Sequence, residues 1–126
     1  MTRRFLVLML VSASLAACGG GSGGSTPVTC NPSGTQLSVK AQNIRFDKDC
    51  LAAPANQATT ISFDNQDNGV PHNIQVFAPN GSSVFKGAII TGVKTTTYQV
   101  PALAPGRYPF RCDVHPDSMQ GTFVVK

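Results

Sequence analysis

The stretch Cys112-Asp-Val-His115-Pro-Asp-Ser-Met119 places a thiol, an imidazole and a thioether within eight residues. The only other histidine of the 126-residue chain is His72, 40 residues before Cys112 in Pro71-His72-Asn73. Two imidazoles, one thiolate and a weak axial thioether form the donor set of a mononuclear blue-copper site. Soft sulfur beside imidazole suits copper as both Cu(I) and Cu(II), which points to one-electron transfer or copper binding and not to catalysis. A single histidine is more often a surface or satisfied core residue than a ligand. Here both histidines and a cysteine fall in motifs that can serve one ion.

The segments that must carry these residues read as β-strands. Gln36 to Ile44 alternates apolar and polar with period two, Ala58 to Phe63 repeats the pattern, and Asn73 to Phe77 alternates again. Asp64 to Pro71 is rich in turn residues, Pro79-Asn-Gly81 is a turn signal, and Pro101 to Gly106 forms a corner. Thr95 to Val100 is a further strand, Gly106 to Cys112 leads into the candidate metal loop, and Gly121 to Lys126 closes the sheet. Val84 to Ile90 reads equally as a strand or an irregular excursion. Seven to eight short strands with regular turns predict an all-β Greek-key sandwich. Tyr108 is either a corner tyrosine whose hydroxyl ties a crossover or a plain core aromatic.

The N-terminus carries a different message. Arg3 and Arg4 precede an apolar run from Phe5 to Ala17, 13 residues long. A spanning helix needs about 20, so residues 1–17 read as an export signal. Leu15-Ala16-Ala17-Cys18 resembles the bacterial lipobox, which implies lipidation of Cys18; the alternative is an ordinary signal peptide cut near Ala17. Residues 18–29 are rich in Gly and Ser and predict a flexible tether spanning on the order of 18 Å. Residues 30–126 then form one domain, exported and held by lipid to a bacterial membrane, facing the periplasm or the exterior. Without Arg3 and Arg4, eight basic residues face six Asp and no Glu. The basic residues are scattered, so no nucleic-acid footprint exists.

Cys30 and Cys50 remain once Cys18 and Cys112 are set aside. In an oxidising compartment two such thiols pair, and closing that loop stabilises the domain by about 3 kcal/mol in the chain-entropy model. The alternatives are two free thiols or a second metal site. The bridge is expected to pin the first strand to the loop before the second.

Pro71-His72-Asn73, together with Tyr108-Pro-Phe110-Arg-Cys112-Asp-Val-His115 and Met119, resembles the cupredoxin family of small blue copper proteins, over residues 36–126. The resemblance implies a Greek-key sandwich with one copper ion at one end, ligated by His72, Cys112, His115 and Met119. His72 is then expected from the facing sheet and His115 as the exposed ligand. Asn73 is expected behind the ligands, its N–H toward the Cys112 sulfur and its side chain bracing the metal loop, with Pro71 and Pro116 stiffening the histidine loops. Three residues separate His115 from Met119, where the family's loops have two or four. Gln120 falls at the four-residue spacing, so Met119, Gln120 or no axial ligand at all stay open. The resemblance implies a monomeric electron carrier whose partners are cytochromes or copper enzymes. A copper carrier or store without redox cycling is the alternative. Two histidines cannot build a trinuclear centre, and no Ser-His-Asp or paired-carboxylate arrangement suggests hydrolysis.

Overall fold

The structure, a computed structural model, describes residues 27–126. The export signal, Cys18 and most of the tether lie outside the described residues; the tether's last three, Pro27, Val28 and Thr29, are exposed and belong to no strand.

Among the described residues, ten strands follow in chain order: β1 Gln36–Ala41, β2 Cys50–Ala53, β3 Thr59–Asn65, β4 Pro71–His72, β5 Gln75–Phe77, β6 Ser83–Lys86, β7 Ile90–Thr91, β8 Lys94–Val100, β9 Gly106–Arg111 and β10 Gln120–Val125. One sheet has the order β1-β3-β8 and the second β2-β10-β9-β5-β6, with β4 and β7 paired as a small ladder. The β1–β3 and β2–β10 pairs are parallel, and the other ladders are antiparallel. The architecture is the all-β sandwich that the sequence pattern predicts.

The strand count exceeds the expected seven to eight for local reasons. The run read as one strand over 73–77 begins earlier and is split, so that Pro71 and His72 pair with β7 while Gln75 to Phe77 pair with β6 and β9. The ambiguous 84–90 stretch divides likewise between β6 and β7. Strand β2 was not expected at all. Cys50-Leu-Ala-Ala53 has no alternation because Leu51, Ala52 and Ala53 are all buried. The first strand also stops at Ala41, short of Ile44, because Asn43 and Ile44 turn into the left-handed region at φ 55° each.

Alternation fills the core. In β3, Ile61 and Phe63 point inward while Ser62 is exposed. In β9, Tyr108 and Phe110 point inward and Arg107, Pro109 and Arg111 outward. These side chains join Val39, Leu51, Val76, Val100 and Phe123 in one buried cluster. Each large apolar side chain removed from water contributes roughly 1.5–3 kcal/mol before entropy is counted. Phe63 stacks on Tyr98 at 5.5 Å, and Phe46 lies 5.5 Å from Phe110. Gly87 passes so close to this layer that a Cβ there would sit 2.7 Å from the Tyr98 ring and 2.9 Å from the Ile74 carbonyl oxygen. Only glycine fits that crossing.

Tyr108 resolves as the corner tyrosine, its hydroxyl donating to the Ala104 carbonyl at 2.8 Å. Cys30 and Cys50 are disulfide-bonded. Because Cys50 opens β2, the bridge fastens the segment before β1 to a strand of the second sheet, where a loop was expected.

Candidate metal centre

Cys112 continues the phase of β9. With Tyr108 and Phe110 inward, period two carries the next inward position to residue 112, and its thiol is fully buried. The chain then turns outward through Asp113, Val114 and His115 and returns at Met119. Met119 closes this loop with its main chain: the Cys112 N–H donates to the Met119 carbonyl at 2.9 Å and the Met119 N–H donates to the His115 carbonyl at 3.0 Å.

His72 reaches the same point from the β4–β7 ladder, not from the facing sheet as expected. The chain leaves β3 for a turn before it arrives, so the imidazole enters from a separate two-residue ladder at the sandwich end. Its ring is fully buried, whereas His115 is half-buried. His72 Nδ1 lies 3.7 Å from Cys112 Sγ and 3.2 Å from His115 Nδ1, and the two rings are 4.9 Å apart at their centroids. One ligand atom from each of His72, Cys112 and His115 lies within 4.8 Å of the others. A single ion can therefore bridge all three.

Asn73 braces the site through its side chain. Oδ1 accepts from the Asp113 N–H at 2.9 Å, and Nδ2 donates to the Gly87 carbonyl at 3.0 Å and to Asp113 Oδ2 at 2.9 Å. The residue sits where the β4–β5 run changes sheets, so its amide replaces ladder bonds that the break removes. The Asp113 carboxylate also receives Lys86 Nζ at 3.3 Å. A Gln75 oxygen facing that carboxylate would be repelled, so its amide sits with nitrogen toward Asp113 and oxygen accepting from Ser83 Oγ at 2.8 Å. These bonds hold the residue next to the thiol from three sides.

Behind His72 stands Asp67, which local patterning did not single out. Its Oδ2 is 2.8 Å from His72 Nε2, and it accepts the Asn43 and Ile44 N–H groups at 2.6 and 2.9 Å. Partial desolvation pushes the Asp67 carboxyl up, but the Ile44 N–H, His72 and the Asn43 N–H together outweigh it and leave the pKa below the ordinary carboxylate value. An ionised carboxylate only accepts, so the hydrogen shared with Asp67 sits on Nε2, and Nδ1 is the ring nitrogen that faces Cys112 and His115. The ring is thus presented in a metal-binding tautomer, and the donor set fits a cation. Asn65, also unforeseen, shapes this loop: fully buried, it donates to the Val70 and Ile90 carbonyls at 2.8 and 3.0 Å and accepts from the Asp67 N–H at 3.0 Å. Its only signal was a polar residue on the inward phase of β3.

Of the two axial candidates, the Met119 side chain is fully buried beneath the loop, while Gln120 is exposed and its Nε2 turns to the Asp117 carbonyl at 3.5 Å. Burial, and secondarily the Cys112 sulfur, push the Tyr98 phenol well above its usual range, and it donates to the Ala88 carbonyl at 2.7 Å.

A family model described as a cupredoxin-like domain matches residues 4–125. The chain belongs to the cupredoxin family. Auracyanin-A of Chloroflexus aurantiacus is 29% identical, over 99% of this chain and 98% of that protein. Among solved structures, reduced auracyanin from Roseiflexus castenholzii superposes with a TM-score of 0.65 at 21% identity, over 73% of this chain and 97% of that one. Auracyanin A from Chloroflexus aurantiacus, described as a blue copper protein, gives a TM-score of 0.65 at 22% identity, over 74% and 99%. These likenesses place the fold. The cupredoxin family and the donor set together fit one mononuclear copper ion, with imidazole and thiolate as its strong donors.

Proposed function

We propose that this cupredoxin is a one-electron carrier of the cell envelope with a type 1 copper centre. His72 Nδ1, Cys112 Sγ and His115 Nδ1 would hold the ion as strong donors, and the buried Met119 thioether would be the weak fourth donor. The observation that carries this reading is the convergence of three donor atoms within 4.8 Å at one end of the sandwich. Copper bound there supplies a Cu(I)/Cu(II) couple. The chain supplies rigidity: His72 is fixed by Asp67, Cys112 by the end of β9, and its neighbour Asp113 by Asn73. Donors held this firmly change little between the two redox states, which keeps reorganisation small.

His115 is the one strong ligand with access to solvent, and exposed Val114 and Pro116 flank it. That face suits a small, transient contact with a redox protein such as a cytochrome or a copper enzyme. The lipobox-like Leu15 to Cys18 and the Gly/Ser-rich stretch support a membrane-tethered domain.

The test is to add Cu(II) to the purified domain 30–126 and record the visible spectrum, then measure electron self-exchange. An intense thiolate-to-copper band and rapid exchange are expected. A colourless complex that Cys112→Ser leaves unchanged refutes the thiolate centre, and a blue protein with immeasurably slow exchange favours copper storage.

A further inference from the structure

We propose that Asp67 is a positioning residue for the metal centre: its carboxylate locks the His72 tautomer, strengthens that imidazole as a donor, and ties the turn after β1 to the site. The inference rests on His72 being a ligand through Nδ1.

Three contacts define the role. Asp67 Oδ2 meets His72 Nε2 at 2.8 Å and also accepts from the Ile44 N–H at 2.9 Å, while Oδ1 accepts from the Asn43 N–H at 2.6 Å. The His72 side chain is fully buried and that of Asp67 only 11% exposed, so water competes little for the bond. A carboxylate hydrogen-bonded to the far nitrogen of a ligating imidazole fixes ring orientation and raises basicity. A more basic imidazole favours Cu(II) over Cu(I), so Asp67 lowers the reduction potential.

The other two bonds make the device more than a local pair. Asn43 and Ile44 both hold φ 55°, and a β-branched residue such as Ile44 rarely adopts that conformation. The carboxylate that aims the ligand also takes both of their N–H groups, so the turn and the ligand share one anchor. Asn65, through the Asp67 N–H, sets the height of that anchor against the core.

The experiment compares wild type with Asp67→Asn, which keeps the size and one acceptor but removes the charge. We expect the ratio of Cu(II) to Cu(I) affinity to fall at least about tenfold, within the range typical of residues behind metal ligands. Tenfold corresponds to a rise of 59 mV for a one-electron couple. Nitrogen-15 NMR of the copper-free and Cu(I) wild-type protein is expected to show His72 protonated at Nε2, with a slowly exchanging hydrogen. If Asp67 only caps the turn, Asp67→Asn loses thermal stability while potential and tautomer stay as in wild type, and the proposal falls. Should that variant fail to fold, a wild-type His72 protonated at Nδ1 overturns it equally. Loss of the wider functional reading is distinguishable: wild type would then take up no blue colour, while the tautomer of the copper-free protein still reports on Asp67.

Discussion

His72 Nδ1 and His115 Nδ1 face each other at 3.2 Å, with the Cys112 sulfur 3.7 Å from the first. His72 meets Asp67 through Nε2, so Nδ1 is the ring nitrogen turned to this cluster. Electron-rich donors brought this close are relieved by a shared cation, and the relief appears as folding stability.

Copper loading is therefore expected to stabilise the fold strongly. At free metal about 1,000 times Kd, binding contributes about 4 kcal/mol. For a domain of this size that raises Tm by about 15 °C or more. Calorimetry of copper-free and Cu(I)-loaded protein checks this, with Cys112→Ser expected to lose most of the gain. Equal melting temperatures would show that the three donors do not act together.

Asn73→Ala removes an amide that serves the Gly87 carbonyl, the Asp113 N–H and the Asp113 carboxylate. Buried groups left without partners cost about 1–3 kcal/mol, so a loss of about 2–3 kcal/mol is expected in urea unfolding. The visible band should also shift, because Asp113 adjoins the thiol. A loss below about 0.5 kcal/mol, the size of an ordinary surface change, would remove Asn73 from the supporting frame.

The axial position separates two neighbouring residues. Met119→Ala empties a fully buried site, which costs about 2–5 kcal/mol, and it is expected to change both the potential and the spectrum. Gln120→Ala alters an exposed side chain and should leave both as they were. Spectra and voltammetry of the two variants decide the matter, and the reverse pattern would transfer the axial role to Gln120.

Acid should weaken the turn between β1 and β2. The Asp47 carboxyl is raised by desolvation, but bonds from Lys48 and from the Lys40 N–H at 2.7 Å outweigh this and lower its pKa. The folded form thus binds this proton less readily than the unfolded form. Its contribution is complete above the unfolded value, near 4, and is lost as pH falls through the lower folded value. Asp47→Asn is expected to be less stable than wild type at pH about 7 and indistinguishable from it once that carboxyl is protonated. Urea titrations across that range measure the gap, and a gap that persists in acid would implicate something other than ionisation.

What the sequence revealed depended on the range of the interaction. Alternation in β3 and β9 showed strands because inward and outward side chains take turns along each of them. Cys112 and His115 were legible because a short loop carries both, and His72 because the chain has no other histidine. Strand β2 escaped, since its residues are buried without alternation, and so did the division of 71–77 between two ladders, which is decided by partners far along the chain. Asp67 and Asn65 stayed hidden for the same reason. In a turn-rich stretch an Asp looks like solvated loop, and only the folded chain brings Asn43 to one of its oxygens and Ile44 and His72 to the other.

The shared inward phase of Tyr108, Phe110 and Cys112 makes β9 a ruler of fixed length. One residue inserted or deleted between 106 and 111 would swing the sulfur from the interior to the outside and abolish the centre while sparing its amino acids. The exposed span from 116 to 118 carries no such parity. The length of that arc can therefore change without turning the sulfur away from the interior.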